Sequence, residues 1–325
     1  MPIVSVILPI YNKAPFLREA ISSILSQSFQ DFELIIVDDK STDNSVAIAE
    51  EFNDRRIRFF NNTRNMGQAN TLNNGIEKAT GKYVTFAHGD DIWLNSFLER
   101  HVTLLDQHSG VNVSHARAHS VDEAGNVSSG PLKNEKHPYA ITDHQTALKR
   151  LMRGSYLTTP TAFLRKSSLP YFNNRFVFAC DWELWLRLAA AGNDFLYIDE
   201  PLIYYRHSPN NVTSTATKTG INIIEDYLVL TTFFEKNPTY QKFKGMALRK
   251  LSMSTLRRSR EIKDKETFFL YQKLAVVFSP TLLINPLFYI YLLIGLVYGH
   301  QGFGLLKKAS KSIRSEKHRF RGKEA

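Results

Sequence analysis

Two adjacent carboxylates, Asp90 and Asp91, close the stretch Lys82-Tyr-Val-Thr-Phe-Ala-His-Gly-Asp-Asp-Ile-Trp93. The run Tyr83 to Ala87 ahead of them is β-favouring and mostly apolar, which reads as a buried strand, with a new helix starting near Asn95. In an open α/β sheet the carboxyl ends of the strands face the crevice where ligands bind, and hard oxygen donors there suit Mg²⁺ or Mn²⁺ carrying a diphosphate. A plainer reading stands beside it: the two aspartates cap the next helix. The first strand-to-helix turn, Pro9-Ile-Tyr-Asn-Lys-Ala-Pro15, contains no glycine, and no Gly-Lys-Ser/Thr loop occurs in the chain. Both glycine-based phosphate cradles are therefore excluded, and a metal on carboxylates is the alternative way to hold a diphosphate.

The elements that must position these groups follow from periodicity. Ile3 to Leu8 is an apolar strand ended by Pro9, followed by a helix with Phe16, Ala20, Ile24 and Leu17, Ile21, Leu25 at helical spacing. Glu33 to Val37 repeats the strand signal and stops at Asp38-Asp39, after which Ser41 or Thr42 caps a helix carrying Val46, Ala49 and Phe52. Ile57 to Phe60 is a third strand. Asn65-Met66-Gly67 turns into a helix with Ala69, Leu72, Ile76 and Ala79 on one face, and Gly81 ends it. Successive strand-helix units predict right-handed crossovers and a mostly parallel sheet of nucleotide-binding type.

The 325 residues, 43% hydrophobic and 22% charged, suffice for one large domain or two smaller ones with a sizeable core. The net charge of +10 is unevenly placed: residues 305 to 325 hold eight Lys and Arg against two Glu, or +6, leaving +4 for the rest. A basic tail on a near-neutral body suits anionic lipid more than a nucleic acid, and no basic stripe interleaved with aromatics appears elsewhere. The lone cysteine, Cys180, excludes an intramolecular disulfide and a cysteine zinc site, in keeping with a reducing compartment. No basic leader precedes the first strand, so no signal peptide is expected and the body is expected in the cytoplasm.

Four motifs in order, Val4-Ser-Val-Ile-Leu-Pro-Ile-Tyr-Asn12, Ile36-Val-Asp-Asp-Lys-Ser-Thr-Asp43, Arg64-Asn-Met-Gly67 and Gly81-Lys-Tyr-Val-Thr-Phe-Ala-His-Gly-Asp-Asp91, resemble the family 2 glycosyltransferases. The resemblance covers residues 1 to about 215. It implies a GT-A fold, an α/β architecture with a Rossmann-like, mostly parallel sheet. It also implies a nucleotide-sugar donor, a divalent metal and transfer with inversion. It places a nucleotide-sugar half at about 1–118 and an acceptor half at about 119–215.

By that resemblance Pro9 and Tyr11 pack against the nucleoside, Asp39 binds the base with Asp38 as its neighbour, and Arg64, with Asn65 and Gly67 in its motif, approaches the diphosphate. One of Asp38 and Asp39 is also expected to cap the next helix with Ser41. Asp90 matches the final carboxylate of the family's Asp-X-Asp signature and is the expected metal ligand, separated by Gly89 from His88, which stands where the first carboxylate belongs. His88 implies either an altered ribose contact or a preference for Mn²⁺ over Mg²⁺. Asp91 is a lesser metal candidate, suited to shaping the loop or capping the next helix.

In Phe178-Ala-Cys-Asp-Trp-Glu-Leu-Trp-Leu-Arg-Leu188, Asp181 lies in a helix's first turn and resembles the family's acidic base, with Cys180 replacing the usual Glu. Glu183, elsewhere on the helix, is held in reserve, and an N-cap role for Asp181 is the competing reading. Leu202-Ile-Tyr-Tyr-Arg-His-Ser-Pro-Asn-Asn-Val-Thr213 resembles the family's closing segment. There Arg206 would neutralise the departing diphosphate and His207 complete the metal shell, or stand as a plain loop histidine. Tyr156 to Thr161 is a candidate lining on the acceptor side.

Beyond the resemblance, residues 216–273 read as helical and partly basic. Residues 274–306 contain no Asp, Glu, Lys or Arg, and 307–325 form the basic tail. Thr281 to Gly299 approaches the roughly 20 residues that cross a bilayer, but Pro280 and Pro286 break it. A single crossing would also export the basic tail, against the positive-inside tendency. Two short helices dipping into one leaflet at the cytoplasmic membrane face are therefore expected, peripheral or monotopic, with a dimer or domain contact as the alternative. That location suits a polyprenyl-diphosphate-linked saccharide as acceptor, one sugar per encounter, in bacterial surface-polysaccharide assembly. Rival readings are a polyprenyl-phosphate glycosyl synthase and an inactive nucleotide-sugar-binding assembly protein.

Overall fold

The computed structural model describes residues 1–128, 139–207, 216–217, 219–262 and 264–293, in two units that divide at Asn211/Val212. The first unit opens with the alternation expected of its sequence: β1 (Val4–Ile10), α1 (Ala14–Leu25), β2 (Phe32–Asp38), α2 (Ser45–Glu50), β3 (Ile57–Asn61), α3 (Gln68–Lys78) and β4 (Tyr83–Phe86). All of β2 and β4 is buried, as continuous apolar runs in a parallel sheet require. Then follow β5 (Ile92–Trp93), α4 (Phe97–Gln107), β6 (Val113–Val121), β7 (Val127–Ser128), β8 (Tyr139–Thr142) and α5 (His144–Leu151). β9 (Phe163–Arg165), α6 (Cys180–Ala190) and β10 (Phe195–Arg206) complete the unit. The path through the sheet is β3-β2-β1-β4-β9-β6-β10-β5, with β7 on β6 and β8 on β10. The half from β3 to β4 is parallel; β9 runs antiparallel to both β4 and β6 and joins it to the second half.

Three local expectations are corrected. Pro9 does not end β1 but pairs with Val37 inside it. Alternate residues of a strand address the same neighbour, and Ile7 accepts from Ala87 N–H on the β4 side, so Pro9's missing N–H falls where the β4 ladder has already stopped. Ser41 and Thr42 do not cap α2, which starts after Asn44. Instead Asp43 ties two helix starts together, accepting from Ala14 N–H at 3.0 Å and from Ser45 N–H and Oγ at 3.0 and 2.6 Å. Asp91 does not cap α4, because β5 intervenes and pairs with β10 through Ile203–Trp93 and Tyr204–Ile92.

In the second unit helices span Ile221–Lys236, Lys244–Arg258 and Lys265–Phe278, followed by a 3₁₀ turn, Pro280–Ile284, and a helical segment from 286 to 293. Both prolines thus sit at element starts, where a missing N–H costs nothing. Among the described residues no helix is long and apolar enough to cross a membrane. Leu256, Ala275, Leu282 and Phe288 form a small buried cluster, whereas Val277, Leu283, Ile284, Leu287, Ile290 and Leu293 are exposed. The end of the apolar run (294–306), the basic tail and residues 208–213 of the closing segment lie outside the described residues.

Candidate active site

The chemistry-bearing side chains gather where β4 ends. The turn after it sets His88, Asp90 and Asp91 so that one donor atom of each lies within 4.8 Å of the others. Asp91 is only 2% exposed; its Oδ1 accepts the backbone N–H of Arg206 at 2.8 Å, which ties the turn to the end of β10. Its Oδ2 is buried without a hydrogen-bond donor, 3.4 Å from His88 Nδ1. Burial pushes the Asp91 carboxyl up, the neighbouring His88 only partly offsetting it. Burial alone would depress the His88 imidazole, but the carboxylates of Asp91 and then Asp90 prevail and raise it above its ordinary value. Asp90 forms an ion pair with the Lys13 ammonium, whose residue precedes α1.

Asp181 occupies the first turn of α6, half-buried. Thr159 Oγ1 donates to one of its carboxylate oxygens and Trp182 N–H to the other. Desolvation pushes its carboxyl above the usual range, and His88 is close enough for its charge to pull the other way. The structure therefore brings Asp181 and the His88–Asp90–Asp91 turn to one place, although 90 residues of sequence separate Asp91 from Asp181. Glu183 is engaged by Arg187 one helical turn on, its carboxylate oxygens 2.9 Å from Nε.

The nucleoside-side candidates form a second group. Asp38 accepts Ser41 N–H in the turn after β2, ahead of α2, so neither it nor Asp39 caps that helix as expected. Asp39 is buried and holds the glycine turn before α3. It accepts Met66 N–H at 2.8 Å, Gly67 N–H at 2.9 Å and Asn62 Nδ2 at 2.8 Å. Gly67 needs its φ of +81°, which a side chain would strain. Asn65 Oδ1 also accepts Gly67 N–H, while Arg64 and Tyr11 are exposed and Pro9 is half-buried.

Two expectations at the end of β10 are corrected. Arg206, 4% exposed, cannot serve a departing diphosphate, because its guanidinium is spent inside the protein. Nε donates to Asp90 O at 2.9 Å, Nη2 pairs with Glu19 at 2.7 Å, Nη1 reaches Asp122 O and Glu123 O, and the group lies over the Phe16 ring. It is a strut that fixes the metal-type turn. His207 lies outside the His88–Asp90–Asp91 group: exposed, it contacts Ser120 Oγ at 3.1 Å and the Tyr205 ring.

Lys13 and Thr159 escape a reading by motif. Lys13 is one lysine among many before a helix; only the charge of the carboxylates it meets 77 residues later distinguishes it. Gly89 makes room for it, since a Cβ there would approach Lys13 Cβ and Cγ at 3.1 and 3.0 Å.

Residues 5–169 match the glycosyl transferase family 2 model. The chain belongs to that family. It is therefore a glycosyltransferase with a GT-A-type α/β fold. A Haemophilus influenzae protein described as an uncharacterized glycosyltransferase is 29% identical over 68% of this chain and 86% of its own length. Escherichia coli WfgD, a UDP-Glc:alpha-D-GlcNAc-diphosphoundecaprenol beta-1,3-glucosyltransferase, is 27% identical over 59% of this chain and 71% of its own. Among solved structures, Staphylococcus aureus TarS in complex with UDP-GlcNAc superposes with a TM-score of 0.59 at 19% identity, covering 86% of this chain and 90% of that one. The mannosyltransferase PcManGT of Pyrobaculum calidifontis, in complex with GDP-Man and Mn²⁺, gives 0.55 at 18%, covering 93% and 83%.

Proposed function

We propose that this glycosyltransferase moves one sugar, with inversion, from a nucleotide-sugar, UDP-sugars favoured, to a hydroxyl of a polyprenyl-diphosphate-linked saccharide at the cytoplasmic membrane face. The observation that carries the reading is the nearness of Asp181, a half-buried carboxylate raised by desolvation and within reach of the His88 charge, to the His88–Asp90–Asp91 turn at the carboxyl end of β4. The lipid-linked acceptor is supported by what WfgD's name says of that protein, and the UDP preference by WfgD and TarS.

The donor set fits a divalent cation, because His88, Asp90 and Asp91 offer one nitrogen and two carboxylate oxygens within 4.8 Å of one another, and the buried Asp91 Oδ2 has only His88 Nδ1, 3.4 Å away, beside it. Asp90 would hold it, with His88 or Asp91. When bound, such an ion supplies positive charge to the diphosphate that leaves with the bond to the anomeric carbon. Asp181 is placed to take the proton of the acceptor hydroxyl as its oxygen bonds to the anomeric carbon. Burial that raises its carboxyl makes it the stronger base, and Thr159 holds its orientation. Arg206, from beneath, keeps the turn in place.

The test is hydrolysis of UDP-, dTDP- and GDP-sugars by the purified protein with Mn²⁺, Mg²⁺ or EDTA. Cleavage of one donor, lost with EDTA and in Asp90→Asn, is expected; no binding or cleavage of any donor would return the protein to a non-catalytic assembly role. Membrane attachment through the exposed Val277, Leu283, Ile284, Leu287, Ile290 and Leu293 with the basic tail is tested by flotation with vesicles containing anionic lipid. Binding should weaken sharply in Ile284→Asp/Leu287→Asp; unchanged flotation would point these side chains to a protein contact instead.

A further inference from the structure

We infer that Lys13 is an internal counter-cation occupying Asp90 in place of a divalent ion, and that its displacement couples metal binding to nucleotide binding. The inference rests on the metal-dependent reading of the same site. Lys13 Nζ lies on Asp90 Oδ2, one of the oxygens that would hold the metal. The stem is built into the fold: Lys13 N–H donates to Ser45 Oγ at 2.7 Å, and the side chain runs over Gly89, which has no Cβ to obstruct it. Its ammonium is the cation available for this task. Arg206 next door is committed to Glu19, to the Asp90 carbonyl and to the carbonyls of Asp122 and Glu123.

An ammonium and a dication on one carboxylate repel each other, so a metal arriving alone must loosen a part-buried, charge-assisted pair and leave an ammonium beside a dication. The Lys13 side chain is 27% exposed against 9% for Asp90, so the ammonium has a way out while the carboxylate stays. A metal arriving with a nucleotide diphosphate brings an anion for the displaced ammonium. Metal and nucleotide should therefore each tighten the other, and by the same factor, since the coupling is reciprocal.

The experiment measures Mn²⁺ binding by calorimetry and by the loss of the free-ion paramagnetic resonance signal, with and without UDP, for the unmutated protein, Lys13→Met and Lys13→Arg. Lys13→Met should bind Mn²⁺ alone about tenfold more tightly, the worth of one charge-assisted pair, and the gain that UDP confers should shrink by a similar factor. Lys13→Arg, which keeps the charge, should bind Mn²⁺ alone as weakly as the unmutated protein. If Lys13→Met binds Mn²⁺ no more tightly and UDP still strengthens binding as before, the counter-cation role is wrong while the metal site stands. If the unmutated protein takes up no Mn²⁺ even with UDP, the metal-dependent reading falls and this inference with it.

Discussion

At the scale of single residues, the base role proposed for Asp181 is supported by surroundings that a cap would not need. A carboxylate that only capped α6 would gain nothing from burial, whereas here desolvation raises it while Thr159 fixes it in place. Asn has the same shape and no basicity. Asp181→Asn should therefore lower kcat by roughly 10²–10⁴ with UDP affinity unchanged by calorimetry; a matching loss of UDP affinity would mean that the residue holds the donor. Asp90, Asp91 and Asp181 were legible as candidates because carboxylates that end a buried strand or open a helix stand out from their apolar flanks. Who neutralises whom was not legible. Arg206 has the look of a diphosphate ligand in its strand-end setting, yet the acceptors it meets at Asp90, Glu19 and Glu123 lie far away in sequence, and only the fold sets that partnership.

At the scale of elements, the first four strands and three helices could be read from period alone, since each helix buries one stripe and β2 and β4 bury all their side chains. The second half could not. β6, β9 and β10 pair out of chain order, and a three-residue antiparallel strand such as Phe163–Arg165 carries no periodic signal. The contact between α3 and β1 shows how close such packing is. An added Cβ at Gly75 would lie 2.3 Å from Ile7 Cγ2. Alanine in mid-helix gains about 1 kcal/mol over glycine from propensity, but overpacking against a fully buried strand costs about 1–3 kcal/mol. The steric cost should win, because Ile7 is closed in by the sheet on both sides. Gly75→Ala should lower stability by about 1 kcal/mol or more in denaturant titration; a stabilised variant would show that α3 can lift off β1.

At the scale of the whole molecule, buried histidines should make the first unit acid-sensitive above the range in which ordinary carboxylates titrate. Two imidazoles are sealed inside it: His101, which shares a hydrogen bond with Ser114 and stacks on Phe163, and His115, set between Tyr156 and Tyr197. Burial lowers each to about 3. The unfolded chain takes up these protons near pH 6.5 and the folded one does not, so the unfolded state binds more protons throughout that window. Stability is accordingly complete above about pH 6.5 and falls as the pH drops toward 3, by about 1.4 kcal/mol per pH unit for each ring well inside the window. The raised carboxyls of Asp91 and Asp181 and the raised His88 imidazole act with the opposite sign, since a folded state that binds protons more readily gains on acidification. Glu33 sides with the imidazoles at lower pH: burial works to raise it, but bonds from Thr80, Ser5 and Arg58 prevail and hold it below its ordinary value. Between about pH 6 and 5 ordinary carboxyls remain ionised, so the slope there is the net of His101 and His115 against Asp91, Asp181 and His88. Unfolding free energies measured by denaturant at pH 7, 6 and 5 give that net slope, and His101→Gln, which removes one of the two protons, should lower it by about 1.4 kcal/mol per pH unit. An unchanged slope would mean that the His101 ring charges within the folded core, and the acid sensitivity would then have to come from His115 or from the carboxylates.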